Sequence, residues 1–463
     1  MLPSYRLLRE QLRMVIANKE EQGHRVAGLA AELAGIPDSY DRLMDFARRV
    51  ADLPLREDWP YVEPNDLESI WAECDPRRPV AAGGPIDIAA CGCARRVEAA
   101  FLGSVCGCIL GKPVEINPTL ERMRHALTAI GAWPLDDYIP ERLLAALGKF
   151  HPSWRETVRE RIAYVAPDDD LNYTILGMLI LEEYGCHFTK QNVRDSWLKH
   201  LPIGITFGPE RRMLLKAGIN SLKGGDYDNL EEWVRILNPR EEWCGALIRA
   251  DAYGYACPGR PALAAEMAWR DASWSHRRTG IYSTMFVAAA IANAFVMRDP
   301  LEIFETALQF VPRRSRFYKI AADSLQEVAA AGDWLDGYGR IHRKYEEYSH
   351  CRVFQEVGTL MNTLKFAPNV GGGICMQVSQ GNDTDSFGAT AGSLLGAYFG
   401  PGALEQRWLE PFHDEIRTAL AYFWENSLTK LAARMGRLPA LVARGSDSIA
   451  EPAESPRALL TEL

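Results

Sequence analysis

Two groups of acidic residues in the sequence could hold metal ions. Residues 168–170 are three consecutive aspartates, the first aspartate group, and Asp383, Asp385 and Ser386 form the second. Residues two apart in extended chain point to the same side, and a chain entering a helix lets neighbouring carboxylates converge. Carboxylate and hydroxyl oxygens are the ligands that hard divalent cations prefer. The two groups therefore predict a cation site, provided that the fold brings them together.

The same aspartates have a simpler interpretation as helix caps. The residues that follow the first group, LNYTILGMLILEEYG, have the apolar periodicity of a helix. Aspartate is a favoured N-cap, and the helix dipole stabilises negative charge in the first turn by a few tenths to about 1 kcal/mol. Five converging carboxylates without a cation would repel each other, and some would take up protons.

Two stripes of glycine adjoin these acidic residues. Glycine recurs at every fourth position over residues 103–111, just before Lys112 and Glu115, and again over residues 388–400, just after Ser386. Each glycine inside a helix costs about 1 kcal/mol relative to alanine, so a stripe needs an offsetting gain. Close packing of two helices is the expected gain, and a ligand site near the helix ends is the alternative.

The rest of the sequence predicts an all-α protein that positions these residues. Ala, Leu, Ile, Glu and Arg recur with helical periodicity, and alternating β-type runs are few. Residues 1–95 predict an N-terminal helical extension that ends in a proline-rich strap. Residues 96–435 predict a compact helical domain, and residues 436–463, rich in Ser, Ala, Pro and Glu towards their end, predict a C-terminal tail.

Composition excludes several classes of protein. The chain has 463 residues and a net charge of −9, which argues against binding to a nucleic-acid backbone. No apolar run reaches the roughly 18 residues of a membrane span, so we expect no membrane association. The N-terminus is too charged for a signal peptide, and the ten cysteines are scattered, so we expect free thiols in a cytoplasmic protein.

Four segments together resemble the ADP-ribosylglycohydrolase family, which includes the dinitrogenase reductase-activating glycohydrolases. They are FLGSVCGCILGKPVE, DDDLNYTILGMLILEEYG, SWSHRRTGIYSTMFVAAAIANAF and GNDTDSFGATAGSLLGAYFG, in the order and spacing of that family. The resemblance covers roughly residues 96–435. It implies a compact all-α domain with two Mg²⁺ (or Mn²⁺) ions, which cleaves the bond at C1 of a ribose whose hydroxyls contact the metals.

The resemblance also assigns roles to individual residues. The family's Thr-Asp-Asp-Thr and Asp-x-Asp-Ser/Thr motifs imply the metal ligands Asp168, Asp169, Asp170, Asp383, Asp385 and Ser386. The implied catalytic residues are Glu115, Asp169 and Asp170, with Glu115 as the acid/base group, although Glu115 could instead cap a helix or pair with Lys112. A substrate-pocket motif of the family corresponds to His276, Gly280 and Tyr282, although a single histidine is often structural.

Three departures from the family pattern bear on the substrate. Asp168 and Leu171 replace threonines, and Cys108 stands where many relatives have aspartate. Arg277 and Arg278 could meet a diphosphate, since guanidinium groups match phosphate oxygens, but a solvated turn is an equal alternative. The partner is thus expected to be an ADP-ribosylated or ribosylated substrate, and the sequence predicts no particular oligomeric state.

Three functions follow from these observations. The leading one is a metal-dependent hydrolase that removes ADP-ribose, or a related ribosyl group, from an acceptor. The second is an N-ribosyl hydrolase that acts on a small ribosylated metabolite with the same chemistry. The third is a non-catalytic module that binds ADP-ribose, against which the presence of both aspartate groups and Glu115 weighs.

Overall fold

The computed structural model describes residues 3–83, 92–220 and 230–447. Helices dominate these ranges, and within them β-pairing is limited to isolated bridges such as that between His24 and Leu55. The all-α prediction is confirmed. The helices are α1 (Tyr5–Glu21), α2 (Leu29–Gly35), α3 (Tyr40–Ala51), α4 (Leu67–Glu73), α5 (Cys93–Gly111), α6 (Leu120–Ala129), α7 (Glu141–Leu147), α8 (Trp154–Thr157), α9 (Asp169–Tyr184), α10 (Lys190–His200), α11 (Gly208–Asn220), α12 (Leu230–Arg235), α13 (Asp251–Tyr255), α14 (Pro261–Ala272), α15 (Thr279–Ala294), α16 (Pro300–Leu308), α17 (Arg316–Ala330), α18 (Trp334–Tyr345), α19 (Phe354–Phe366), α20 (Val370–Ser379), α21 (Thr384–Phe399), α22 (Leu428–Met435) and α23 (Leu438–Asp447).

Helices α5 and α21 pack with their backbones in direct contact. A Cβ atom on Gly107 would overlap the carbonyl oxygen of Gly388, and one on Gly103 would overlap that of Gly392. Only glycine permits this approach, so contact along the helix pair offsets the low helix propensity of each glycine. Close helix packing is therefore the role of both stripes. It also fixes the register in which the ends of the two helices meet.

Helix α5 is long and apolar enough to cross a membrane by length and composition, counted over Cys93–Val114. This corrects the expectation that no apolar segment reaches that length, although Arg95, Arg96, Glu98 and Lys112 lie within this one. In the structure, 83% of the most apolar 18-residue stretch of this helix is buried inside the protein. Such burial is typical of the central helix of a packed domain.

The first helices form a small core of their own. Helices α1 to α3 bury Leu12, Leu43 and Val50 together with Ile236 of the main domain. The proline-rich strap then crosses the main domain, where its acidic side chains form ion pairs. Glu63 pairs with Arg316 and Glu73 pairs with Arg314. These contacts fix the N-terminal extension to the domain that contains the aspartate groups.

The segment predicted as a C-terminal tail, residues 436–463, begins with an ordered helix. Leu438 and Val442 of α23 are buried because this helix packs against α5 and α9. The Ser-, Pro- and Glu-rich composition that predicted the tail belongs to residues further along the chain. Residues 448–463 lie outside the described part of the structure.

Candidate active site

A cavity of about 510 Å³ opens where helices α5, α9 and α21 meet. Lys112 and Glu115 follow the end of α5, whereas α9 and α21 begin at the first and second aspartate groups. The glycine contacts show that α5 and α21 are antiparallel, so the end of one lies beside the start of the other. The packing therefore brings three distant parts of the chain to one cavity.

In the first aspartate group, Asp168 has both of the roles considered from the sequence. It is the N-cap of α9, and its Oδ1 accepts a hydrogen bond from the Asp170 amide at 2.9 Å. Its Oδ2 faces the site instead and lies 2.7 Å from Lys112 Nζ. Asp170 links the two groups, because its Oδ2 accepts a hydrogen bond from Ser386 Oγ at 3.3 Å.

A left-handed turn sets the second aspartate group. Gly381 and Asn382 have φ values of 84° and 61°, a conformation that glycine and asparagine tolerate best. A Cβ atom on Gly381 would also overlap the carbonyl oxygen of Pro118. Asp383 is the N-cap residue of α21, yet its side chain makes no capping hydrogen bond. The Asp383 carboxylate thus remains available to the site.

Lys112 lies between the two groups and is the main site residue that the sequence did not single out. Its Nζ is 2.6 Å from Asp385 Oδ2 and 2.9 Å from Glu115 Oε2, in addition to its contact with Asp168. Burial opposes the charge of the ammonium group, but Asp168 and Asp385 outweigh burial and raise the pKa of Lys112. The pairing of Glu115 with Lys112 is therefore real, and it occurs inside the site.

The predicted metal ligands converge. Carboxylate oxygens of Glu115, Asp383 and Asp385 lie within 4.8 Å of one another, as do donor atoms of Cys108, Asp168 and Asp170. Among the described residues, Asp170 Oδ1 and Asp385 Oδ1 are buried without a hydrogen-bond partner. Buried oxygens without partners are costly unless a ligand satisfies them. We use the term carboxylate cluster for six acidic residues, namely Glu115, Asp168, Asp169, Asp170, Asp383 and Asp385.

The cluster holds more negative charge than its one lysine can balance. Burial, reinforced by neighbouring carboxylates, raises the pKa of Asp169 to about 8 and that of Glu115 to about 9. It also raises the pKa values of Asp170 and Asp383 well above the ordinary range of an aspartate. Burial acts in the same direction on Asp385, but the Lys112 ammonium outweighs it and lowers that pKa. A site of this kind requires protons or cations, and divalent cations are the ligands that carboxylate oxygens suit.

The three residues predicted to contact the substrate, His276, Gly280 and Tyr282, do not line this cavity. His276 is fully buried, with Nδ1 2.8 Å from Ser275 Oγ and Nε2 3.6 Å from Oε1 of Glu210, which does line the cavity. The Tyr282 hydroxyl donates a hydrogen bond to the carbonyl oxygen of Pro64 in the strap. The strap thus covers the Tyr282 hydroxyl, whereas His276 is buried against Ser275 and Glu210.

Aromatic and cationic side chains form the outer part of the cavity. The Arg240 guanidinium lies 4.2 Å from the ring centre of Trp243, and both residues line the cavity. Phe207, also in the lining, is 58% exposed, which is unusual for a large apolar side chain. Arg277, considered from the sequence for a diphosphate, is buried and pairs with Glu231. Arg240 is thus the arginine that faces the cavity.

Two thiols lie deeper in the same cavity. Cys244 Sγ donates a hydrogen bond to Asp383 Oδ2 at 3.4 Å. The neighbouring Cys244 thiol, with a smaller contribution from His350, lowers the pKa of Cys351 to about 5 against the effect of burial. These cysteines are 107 positions apart, so nothing in their spacing predicted the pair.

Comparison with known proteins identifies the family. Residues 92–442 match the family model described as ADP-ribosylglycohydrolase. A solved structure described as "ADP-ribosylglycohydrolase-related protein complex" is similar over 76% of this chain and 99% of that chain, with 18% identity and a TM-score of 0.49. No curated protein sequence matches the chain. The family match covers most of the chain, which therefore belongs to the ADP-ribosylglycohydrolase family and is a glycoside hydrolase that acts on ribosyl groups.

Proposed function

We propose that this glycohydrolase depends on divalent cations and removes ADP-ribose from an acceptor. The observation that supports the proposal most is the convergence of both aspartate groups and Glu115 at one cavity. Oxygen donors with excess negative charge fit Mg²⁺ or Mn²⁺, and the unpartnered oxygens of Asp170 and Asp385 offer direct ligand positions. The proposed ligands of two such ions are Asp168, Asp169, Asp170, Asp383, Asp385 and Ser386.

Glu115 is the proposed acid/base group. Its side chain is 33% exposed, whereas those of Asp168 and Asp385 are almost completely buried, so a substrate can reach Glu115. Lys112 Nζ holds Glu115 Oε2, which fixes the direction of the carboxyl group. When bound, the cations would bind ribose hydroxyls and lower the pKa of a water molecule. Glu115 would then move one proton, to the leaving group or from the attacking water.

The outer part of the cavity favours ADP-ribose over a smaller ribosyl compound. The Arg240 guanidinium can pair with a diphosphate, since its planar group matches phosphate oxygens. Trp243 and Phe207 offer aromatic faces on which an adenine ring can stack. The presence of these three residues near the carboxylate cluster favours the removal of ADP-ribose from an acceptor over the hydrolysis of a small ribosylated metabolite.

A pair of experiments tests the proposal. Turnover of an ADP-ribosylated protein with Mg²⁺ should release free ADP-ribose and stop when a chelator is added. Calorimetric titration with Mg²⁺ present should show tighter binding of ADP-ribose than of ribose 5-phosphate. Equal affinity for the two compounds would favour a small ribosylated metabolite. Tight binding without turnover would favour the non-catalytic module.

The outer residues can be tested separately from the metal site. Trp243→Ala should weaken ADP-ribose binding by about 1–3 kcal/mol, the usual contribution of stacking between a base and an aromatic ring, and leave ribose 5-phosphate unaffected. Trp424→Ala is a matched control, because Trp424 is 85% exposed and does not line the cavity. Equal losses for both ligands in Trp243→Ala would contradict the adenine position.

A further inference from the structure

The two thiols in the cavity have the geometry of a ligand pair. Cys244 begins the 3-10 turn Cys244–Arg249, and Cys351 lies in the turn that precedes helix α19. Cys244 Sγ donates a hydrogen bond to Asp383 Oδ2 at 3.4 Å. One donor atom from each of Cys244, Cys351 and Asp383 lies within 4.8 Å of the other two. All three residues line the cavity, so an ion can reach them from solvent.

This donor set suits a different cation from the one that suits the carboxylate cluster. Thiolate sulfur is a soft ligand that selects Zn²⁺ and related metals, whereas Mg²⁺ prefers oxygen. Zinc–sulfur bonds are about 2.3 Å long, which places tetrahedral ligands roughly 3.5–4 Å apart. The 4.8 Å limit on the observed separations exceeds this value by about 1 Å. His350 is next to Cys351 in the chain and lines the same cavity, but it is not among the donors that already lie within 4.8 Å of one another, so its imidazole would have to move to join them.

We propose that Cys244, Cys351 and Asp383 form a binding site for a thiophilic divalent cation such as Zn²⁺, with His350 as the fourth ligand. Cysteine binds such a cation as the thiolate, so a thiol that is still protonated loses its proton to solvent on binding. The site is distinct from the proposed Mg²⁺ site but shares Asp383 with it, because Asp383 also lies within reach of Glu115 and Asp385.

The shared aspartate couples the two sites. A zinc ion bound to the thiols would hold the Asp383 carboxylate that the proposed Mg²⁺ site also uses, so Mg²⁺ binds more weakly. Zinc should therefore inhibit the enzyme in competition with Mg²⁺. The inhibition rests on the proposed function, whereas the binding of zinc does not.

Cobalt offers a direct readout of this site. The full chain is kept reduced with a phosphine and titrated with Co²⁺, whose bonds to thiolates give an intense charge-transfer absorption that bonds to oxygen lack. We expect one equivalent of Co²⁺ to produce the absorption and one equivalent of Zn²⁺ to abolish it. Cys351→Ser should weaken binding at least 100-fold, because changes beyond the direct ligands already cost about 10–100-fold.

Two controls make the outcome decisive. Cys375→Ser removes a buried thiol that does not line the cavity and should leave the absorption unchanged. Cys244→Ser should behave like Cys351→Ser, and far-ultraviolet circular dichroism verifies that both variants are folded. Absence of the absorption in the wild type would overturn the proposal, as would its survival in folded Cys351→Ser. A Cys244–Cys351 disulfide that persists under the phosphine, detected by mass spectrometry, would do the same.

The result is separable from the test of the proposed function. Mg²⁺-dependent turnover without the cobalt absorption would overturn only the thiol site. The cobalt absorption in a protein that ignores Mg²⁺ would overturn only the proposed hydrolase mechanism. Asp383→Asn connects the two measurements, because it should weaken Co²⁺ binding and Mg²⁺ binding together. Unchanged affinity for Co²⁺ in this variant would remove Asp383 from the thiol site.

Discussion

Two buried groups of acidic residues in this protein have opposite electrostatics. In the carboxylate cluster, six acids share the single cation Lys112, and most of their pKa values rise. In the second group, which we call the arginine network, each acid pairs with one or two arginines, and of its acids Glu21 is exposed. Its members are Glu21, Glu63 and Glu242 with Arg316 and Arg352.

Glu242 shows what matched charge does to a buried acid. It is completely buried, which alone would raise its pKa, but Arg316 and Arg352 outweigh burial and lower the pKa to about 2. The network connects the N-terminal extension to helices of the main domain, next to the cavity residue Trp243. Balanced buried charge therefore holds the structure together, whereas unbalanced buried charge marks the place where an added cation is needed.

The largest effect is expected for Glu115→Gln, which leaves the shape of the side chain and removes its charge and proton. Turnover of an ADP-ribosylated substrate should fall by about 10²–10⁴-fold, the usual contribution of a positioned acid or base. The melting temperature should change little, because Glu115 is partly exposed. Steady-state kinetics measure the loss.

Glu182→Gln is the matched control for that variant. Glu182 forms an ion pair with Arg434 outside the cavity, so its substitution should leave turnover unchanged. Near-normal turnover in folded Glu115→Gln would show that Glu115 only pairs with Lys112.

A loss of stability is the next largest effect, and it is expected in the arginine network. Glu242→Gln leaves Arg316 and Arg352 buried without their shared counter-charge, which should cost about 3–5 kcal/mol of unfolding free energy in urea titrations. Stabilisation by Mg²⁺ should survive in this variant if the two groups are independent. A cost below 1 kcal/mol would refute the view that matched charge fixes the extension.

Lowering the pH should also reveal how much the arginine network stabilises the protein through Glu242. The folded-state pKa of Glu242 lies below its ordinary value of 4.5, so its contribution to stability is present above that pH and is lost as the pH falls towards about 2. The unfolding free energy of Glu242→Gln should therefore fall less steeply than that of the wild type over this range. Parallel pH profiles would contradict the assignment.

The carboxylate cluster should instead gain stability from metal. Mg²⁺ at 100 times its dissociation constant stabilises a folded protein by about 2.7 kcal/mol per independent site, and Asp383→Asn should remove most of the rise in melting temperature. Differential scanning fluorimetry over a Mg²⁺ series measures both. Asp414→Asn, a substitution outside the cavity, tests whether losing any aspartate has the same result. A wild-type curve that does not respond to Mg²⁺ would reject the hard-cation site.

Local signals in the sequence indicated the separate parts of the carboxylate cluster. Aspartates before apolar helices predicted the N-terminal ends of α9 and α21, and the glycine stripes predicted that α21 packs closely against another helix. The helix register then brings Asp385 to Lys112. Spacing along the chain could not predict that lysine, since its position depends on how two distant helices are aligned.

Residues held by long-range contacts were beyond sequence reasoning. His276 matches a family motif, yet it is fully buried and does not line the cavity. Arg240 and Trp243 lie on either side of Glu241 in the chain, and Glu241 pairs with Lys19 of the N-terminal extension. No periodicity connects residue 19 with residue 241, so the shape of the outer cavity could only be read from the folded chain.

The smallest effect expected is that of Lys112→Met, and it tests the comparison most directly. The Lys112 ammonium occupies the oxygens of Asp168 and Asp385 that the proposed cations would bind, so it competes with them. Methionine has a similar length without the charge. Mg²⁺ should bind about tenfold more tightly to this variant, a gain of about 1.4 kcal/mol, and the metal-free protein should melt at a lower temperature. Lys112→Arg retains the charge and should behave like the wild type. Weaker Mg²⁺ binding in Lys112→Met would mean that the Lys112 ammonium holds the carboxylates in place for the cations. The cluster would then require the positive charge of Lys112 in order to bind Mg²⁺.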